Sequence, residues 1–344
     1  MHGLTTGDYD FDLPDDLIAQ NPSAARDGSR LMVVDRRHSR IEHRAFGDLP
    51  SLLAPGDLLV VNRSRVVKAR LLGARVGSGA PAEVFLLTPL GGDRYEAMVS
   101  PGGKLKPGRL VEFAPGFTAE ILRVTERRTR IVQLRADTAI DDAIERYGHI
   151  PLPPYIARAD ATSDAERYQT VYAKEAGSVA APTAGLHFTA ELLHTIEQRG
   201  VSRAEIVLHV GAGTFKPVES DDPAAHVMHE ERYSIPEETS RAWSATRAAG
   251  GRVVAVGTTT VRSLESAFAH GAVAAGSGET SIFIRPPQGL HAVDALVTNF
   301  HLPRSTLIML VAAFADYELT MRAYREAIAE RYRFYSYGDA MVII

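Results

Sequence analysis

The sequence predicts an α/β protein: a layered α/β domain built from both ends of the chain, with a small β-barrel domain inserted between its parts. Three observations carry this expectation. Strand-length apolar runs alternate with helix-length stretches near the start and again beyond residue 150. Between them the text changes to short β-rich pieces divided by Pro/Gly turns. The middle stretch also differs in charge: Arg63 to Arg135 holds fourteen Lys/Arg against six Asp/Glu, leaving 24 basic and 36 acidic residues elsewhere. The expected division is residues 1–65 and 136–344 for the α/β domain and 66–135 for the basic insert.

Taken in order, Leu31-Met32-Val33-Val34 and Leu58-Leu59-Val60-Val61 read as buried strands, the second entered through the turn Pro55-Gly56-Asp57. Within the insert, Glu83–Leu87, Tyr95–Val99 and Arg130–Leu134 are strand-like, separated by turns such as Ser100-Pro101-Gly102-Gly103 and Lys106-Pro107-Gly108. A Pro-rich joint, Ile150-Pro151-Leu152-Pro153-Pro154-Tyr155, returns the chain to helix and strand alternation. A helix follows near Thr189 to Arg199, with Leu192, Leu193 and Ile196 on one face and Gly200 as its stop. The strand Glu205–Val210 comes next, then a strand at Arg232–Ile235. A helix starts at Pro236, with Glu237 and Glu238 complementing its dipole, and ends at Gly250-Gly251. Arg252–Val256 is a strand and Val261–Ala269 a helix.

Composition narrows the function classes. The 344 residues are 45% apolar and 23% charged, enough for one large core or two modest ones. Without cysteine there is no disulfide scaffold, zinc ribbon, iron–sulfur cluster or thiol nucleophile. The longest apolar run, Leu307 to Ala315, is far short of the roughly 20 residues of a membrane span and reads as a buried helix. The first residues show no targeting pattern, so a cytoplasmic protein without membrane contact is expected.

Several polar loops are candidates for chemistry. Ala181-Pro182-Thr183-Ala184-Gly185-Leu186-His187-Phe188 places small residues and a histidine before a helix; His187 either exchanges protons with a ligand or caps the helix. His209-Val210-Gly211-Ala212-Gly213-Thr214-Phe215 runs a strand into a glycine turn, suited to close backbone approach to a ligand or simply to turning. It lacks the third glycine and the following helix of a dinucleotide fingerprint. Gly257-Thr258-Thr259-Thr260-Val261-Arg262 joins a strand end to a helix start, where hydroxyls are suited to a ribose or a carboxylate and Arg262 to pairing with the latter; threonine capping accounts for one hydroxyl. In His226-Val227-Met228-His229-Glu230-Glu231 the two histidines are three apart, but the stretch is no HExxH site, and no metal is expected. His229 or Glu231 serves as acid or base there, or the stretch is a solvated charge run. Thr298-Asn299-Phe300-His301-Leu302-Pro303-Arg304-Ser305-Thr306 opens onto the apolar helix and suggests a lined pocket. The tail Tyr332-Arg333-Phe334-Tyr335-Ser336-Tyr337-Gly338-Asp339-Ala340-Met341 offers aromatics to stack on a base, with core packing favoured for Phe334, and Asp339 to bind an amine.

In their order along the chain these motifs resemble the S-adenosylmethionine:tRNA ribosyltransferase-isomerase family of queuosine biosynthesis. The resemblance starts at Asp10-Phe11-Asp12-Leu13-Pro14 and runs through Pro151–Ile156, Arg167–Ala173 and the loops above to Tyr337-Gly338-Asp339-Ala340-Met341. Two local departures are Asn62-Arg63-Ser64-Arg65, where Asn-Asn-Thr-Arg is usual, and Arg285-Pro286-Pro287, where Tyr-Pro-Gly is common. The resemblance implies a two-domain fold of an α/β layer and a β-barrel. It implies transfer and isomerisation of the ribosyl portion of S-adenosylmethionine onto 7-aminomethyl-7-deazaguanine at the tRNA wobble position, giving epoxyqueuosine with release of adenine and methionine. S-adenosylmethionine is then a consumed substrate, and no other cofactor is expected.

On that footing His187 and His229 are the expected acid and base, with Glu231 orienting one of them and Asp339 meeting the acceptor amine. Thr258, Thr259, Thr260 and Arg262 would hold the ribose and methionine carboxylate. Thr183, His209, Gly211, Gly213, Thr214, Asn299, His301, Ser305 and Thr306 would complete the substrate pocket. Arg65, Lys68, Arg70, Lys104 and Lys106 would grip tRNA phosphates, and a monomer is expected. The rival readings are an S-adenosylmethionine-dependent RNA methyltransferase, which would release S-adenosylhomocysteine, and a non-catalytic RNA-binding module, which would turn nothing over.

Overall fold

A computed structural model of the chain describes residues 3–211, 218 and 220–344. Its centre is a nine-stranded mixed sheet, in spatial order Gly276–Thr280, Glu231–Ile235, Ser202–Leu208, Leu58–Asn62, Val253–Val256, Ala295–Asn299, Ala340–Ile343, Arg30–Asp35 and Arg40–Ala45. The four strands from Ser202–Leu208 to Ala295–Asn299 run parallel. Ala340–Ile343 is antiparallel to Ala295–Asn299 and parallel to Arg30–Asp35, so the chain's last strand ties its first one into the sheet.

The central strands are covered on both faces, which is why they read as unbroken apolar runs. Alternate residues still divide between two cores. Leu58, Val60, Val253, Ala255 and Leu296 enter one, with the helices Thr258–Ala267, Thr306–Ala315 and Tyr317–Ala329. Leu59, Val61, Val254, Val256 and Val297 enter the other, with Phe46, Leu49 and the helix Ala190–Gln198. That last helix is capped by Thr189, whose side chain accepts from Leu192 N at 3.0 Å. Capping therefore does not explain His187.

Between the first and second parts of the sheet the chain forms a closed six-stranded antiparallel barrel, in the order Arg130–Ala136, Arg94–Ser100, Pro81–Gly91, Arg70–Arg75, Leu110–Ala114 and Phe117–Val124. Inward positions recur every second residue, as in Ala82, Val84 and Leu86 or Phe117, Ala119 and Ile121. Gly73 permits closure: a Cβ there would lie 2.3 Å from the Glu112 carbonyl oxygen of the neighbouring strand. The barrel core also takes in Ala143 and Ile144 of the helix Ile140–Tyr147. Among the described residues no helix is long and apolar enough to cross a membrane.

Candidate active site

The carboxyl ends of the four parallel strands meet at one edge of the sheet, the place where open α/β sheets hold ligands. Gly257 makes room there. It follows the strand Val253–Val256 with a φ of +88°, donates its N–H to the Val297 carbonyl at 2.8 Å, and starts the helix Thr258–Ala267 in the same step. Around this edge lies a cavity lined by residues of the 180–184 loop, the Gly257–Thr259 turn, the Thr298–Leu302 loop, Tyr155 and Tyr335-Ser336.

Of the residues expected in the substrate pocket, Thr183, Thr258, Thr259, Asn299, His301 and Ser305 line this cavity. Their hydroxyls differ in availability. Ser305 is committed to the apolar helix: its Oγ donates to the Leu302 carbonyl and accepts from Ile308 N. Thr260, expected beside Thr258 and Thr259, is instead wholly buried, with its hydroxyl on the Val256 carbonyl at 2.7 Å. A helical threonine satisfying the carbonyl four residues back is local structure. Thr306 is half-buried and outside the lining.

Arg262 and Glu231 form a buried ion pair, with relative exposures of 5% and 4%. Glu231 Oε1 also accepts from Gly211 N at 3.1 Å, fixing the glycine turn to the neighbouring strand. Arg262 Nε and Nη2 are buried and, among the described residues, without a partner. Unmatched buried N–H groups call for an acceptor, and a guanidinium is suited to an anionic one. Gly213 and Thr214 lie outside the described residues.

Three of the expected roles do not fit the geometry. His187 is buried behind the cavity wall, with Nδ1 on Ser29 Oγ at 2.8 Å, Nε2 against Asn299 Nδ2 at 3.1 Å, and its ring stacked on Phe46. Burial pushes its pKa down to about 4, against a smaller upward pull from Asp339. A ring with both nitrogens engaged and no charge at neutral pH is poorly placed to exchange a proton with substrate. Asp339, read as the receptor of an amine, is buried and saturated: it accepts from Arg30 N at 3.0 Å and Arg333 N at 2.8 Å and pairs with the Arg30 guanidinium. His229 is exposed and outside the cavity lining, so Glu231 has Arg262 rather than a histidine to orient.

His209 is half-buried with its ring against Gly177, outside the cavity lining, and its Nδ1 has no partner. His301, by contrast, is in the wall, with Nε2 at 2.9 Å from Thr298 Oγ1; burial lowers its pKa to about 3.

Reasoning from the sequence missed three contributors. Tyr155, read as part of a joint, lines the cavity, holds Ser336 Oγ through its hydroxyl at 2.6 Å and packs its ring 4.6 Å from that of Tyr335. Ser29 supports His187. Asn62 clamps the ends of two parallel strands by bonding both the Leu208 carbonyl and the Leu208 N–H. Only Asn62 had a signal, a polar residue ending an apolar strand.

On the barrel side, Arg65, Lys104 and Lys106 are exposed and, among the described residues, in no ion pair. Lys68 pairs with Glu145 at 2.9 Å. Arg70 lies 2.9 and 3.0 Å from the two Glu83 oxygens, a contact that raises its pKa.

A layered α/β body with a cavity at its strand ends and an attached closed barrel defines a class of small-molecule-binding enzyme fold. The family of queuosine biosynthesis proteins matches residues 6–343, and the chain belongs to it. It is 53% identical over 343 residues to the S-adenosylmethionine:tRNA ribosyltransferase-isomerase of Symbiobacterium thermophilum, covering 99% of this chain and 100% of that one. A relative of the same name from Azoarcus is 51% identical over 342 residues, covering 99% of this chain and 97% of the other. The crystal structure of S-adenosylmethionine tRNA ribosyltransferase from Thermotoga maritima is similar with a TM-score of 0.57 at 42% identity, covering 98% of this chain and 99% of that one.

Proposed function

We propose that this enzyme transfers and isomerises the ribosyl moiety of S-adenosylmethionine onto 7-aminomethyl-7-deazaguanine at the tRNA wobble position, yielding epoxyqueuosine-tRNA, adenine and methionine. Near-complete coverage of relatives that bear this activity in their names supports the reaction. The observation that carries it to particular residues is a cavity with no Asp, Glu, Lys or Arg among its described lining residues, two of which, Thr258 and Thr259, begin the helix that carries Arg262 of the buried Arg262–Glu231 pair. S-adenosylmethionine has a comparable two-part character, a neutral nucleoside joined through a sulfonium cation to an amino acid bearing an ammonium and a carboxylate.

In this reading Arg262 receives the methionine carboxylate through Nε and Nη2, while Glu231 holds the guanidinium in place. Thr258 and Thr259 serve the ribose. The chemistry needs a base for the proton beside the sulfonium and an acid for the departing adenine. His301, a neutral imidazole in the wall, takes over from His187 as the group to test. Arg65, Lys104 and Lys106 contact tRNA phosphates; Lys68 and Arg70, already paired, contribute less.

The test is mass spectrometry of tRNA bearing the deazaguanine precursor after incubation with the chain and S-adenosylmethionine, with the small products assayed alongside. Epoxyqueuosine with adenine and methionine is the expected result. Formation of S-adenosylhomocysteine would make the chain a methyltransferase instead, and no turnover at all would leave a binding module.

A further inference from the structure

Asn299 ends its strand with a carboxamide whose orientation the structure determines. Nδ2 donates to the Tyr335 carbonyl at 3.1 Å and lies 3.5 Å from the Asp339 carbonyl, and both of these groups can only accept. The same Nδ2 meets His187 Nε2 at 3.1 Å, so that nitrogen accepts as well. The histidine proton therefore sits on Nδ1 and goes to Ser29 Oγ. One polar atom is left over. Asn299 Oδ1 is buried, has no partner among the described residues, and belongs to a residue that is 2% exposed and lines the cavity. A buried acceptor with no donor is costly unless a ligand supplies an N–H or O–H.

The cavity narrows the choice of ligand group. Among the described residues, none that lines it is Asp, Glu, Lys or Arg, so an ammonium or carboxylate would be desolvated there without a counter-charge from them. Tyr155, Phe300 and Tyr335 give it aromatic walls suited to a flat ring.

We propose that this cavity seats a purine-type base and that Asn299 Oδ1 accepts a hydrogen bond from the base's exocyclic amine, with His187 acting on Asn299 as a positioning residue. The proposal rests on the reaction proposed above, which offers two such bases: the adenine of S-adenosylmethionine, with its 6-amino group, and the deazaguanine of the tRNA, with its 2-amino group. It also separates the two halves of the site, the charged amino-acid end falling to Arg262 and Glu231.

The experiment is a cycle of ligand and protein changes read by titration calorimetry. In one arm S-adenosylmethionine is compared with an analogue carrying hydrogen in place of the 6-amino group. In the other, precursor tRNA is compared with the same tRNA lacking the 2-amino group. In one arm the wild-type chain should prefer the amine-bearing ligand by about ten-fold or more, and Asn299→Ala should bring that preference close to one. The responding arm identifies the base. His187→Phe should lose the preference as Asn299→Ala does, whereas His187→Gln, whose carboxamide oxygen can accept from Asn299, should restore most of it. Neither His187 variant should move the pH profile of adenine release near neutrality.

No preference in either arm for the wild-type chain, a result that depends on no variant's folding, would overturn the proposal. So would a preference that survives in Asn299→Ala. Release of adenine and methionine by the wild-type chain is scored separately, so failure of the assigned reaction and failure of the Asn299 contact cannot be confused.

Discussion

The strand-end cavity and the outer face of the barrel use polar groups in opposite ways. At the sheet end that holds the cavity, Asn299 Oδ1 and two nitrogens of Arg262 are buried and, among the described residues, without a partner, which marks them as places for a ligand. On the barrel Lys104 and Lys106, and beside it Arg65 in the strand Ser64–Val66, are exposed and, among the described residues, in no ion pair, where freedom is ordinary. The same absence of a partner thus carries much information inside and little outside, because burial removes water as the alternative. Lys104 and Lys106 gain meaning only from the loop that presents them. Buried Arg130 donates to the Gly102 carbonyl at 2.8 Å and the Leu105 carbonyl at 3.0 Å and so holds that loop against the barrel.

The largest effect should come from the buried ion pair. Arg262→Met takes the guanidinium away from the buried Glu231 carboxylate, and should cost about 3–5 kcal/mol in a denaturant titration. Replacing both partners, Arg262→Met with Glu231→Leu, should recover most of that stability while S-adenosylmethionine binding stays lost. Binding by the double variant at wild-type affinity would show that Arg262 serves the fold alone.

Next in size is Asp339. Removing its carboxylate in Asp339→Ala strands the N–H groups of Arg30 and Arg333, and a loss of about 2–3 kcal/mol is expected. Steady-state kinetics below the variant's unfolding transition should show an unchanged KM for tRNA. A KM raised a hundred-fold with the fold intact would reinstate Asp339 as the receptor of the acceptor amine.

The pH dependence of stability follows from the two buried histidines. Both titrate near 6.5 in the unfolded chain, but His187 only at about 4 and His301 at about 3 in the folded one. The unfolded state therefore takes up protons first on acidification. Their contribution is complete above about pH 6.5 and declines as pH falls toward 4 and below, each histidine adding at most about 1.4 kcal/mol per pH unit to the slope. Thermal unfolding from pH 7.5 to 4.5 should show a shallower acid limb for His187→Gln than for wild type. An unchanged limb would mean that His187 is already charged in the folded protein.

Much of this architecture was legible in the sequence because its signals are local. Central strands such as Leu58–Val61 announce themselves as apolar runs, and the barrel by its turns and alternation. The cavity loops were also found, since small and polar residues at strand ends have few other reasons to occur together. What could not be read was which way each side chain faces. Thr258, Thr259 and Thr260 are chemically alike, yet helical geometry directs the third onto the Val256 carbonyl. His187 looks like a proton shuttle until Ser29, 158 residues away in sequence, and Asn299, 112 away, occupy both of its nitrogens. The closing of the sheet by Ala340–Ile343 beside Arg30–Asp35 is likewise a contact between chain ends, invisible to any window of sequence.

The smallest stability effects, and the sharpest test of the comparison, belong to the barrel. Lys104→Glu and Lys106→Glu change exposed, unpaired side chains, so folding stability should stay within about 0.5 kcal/mol. Affinity for tRNA should fall, and for each neutralised phosphate contact the slope of log affinity against log salt should lessen by roughly one. Lys68→Glu should matter less to RNA and more to its own neighbourhood. It sets the new carboxylate against Glu145, whereas wild-type Lys68 spends its charge on that residue at 2.9 Å. Filter binding across a salt series distinguishes the cases, since a structural defect lowers affinity at every salt concentration while a lost phosphate contact changes the slope. If the Lys104 and Lys106 variants keep both affinity and slope, the positive charge of the barrel is unrelated to RNA.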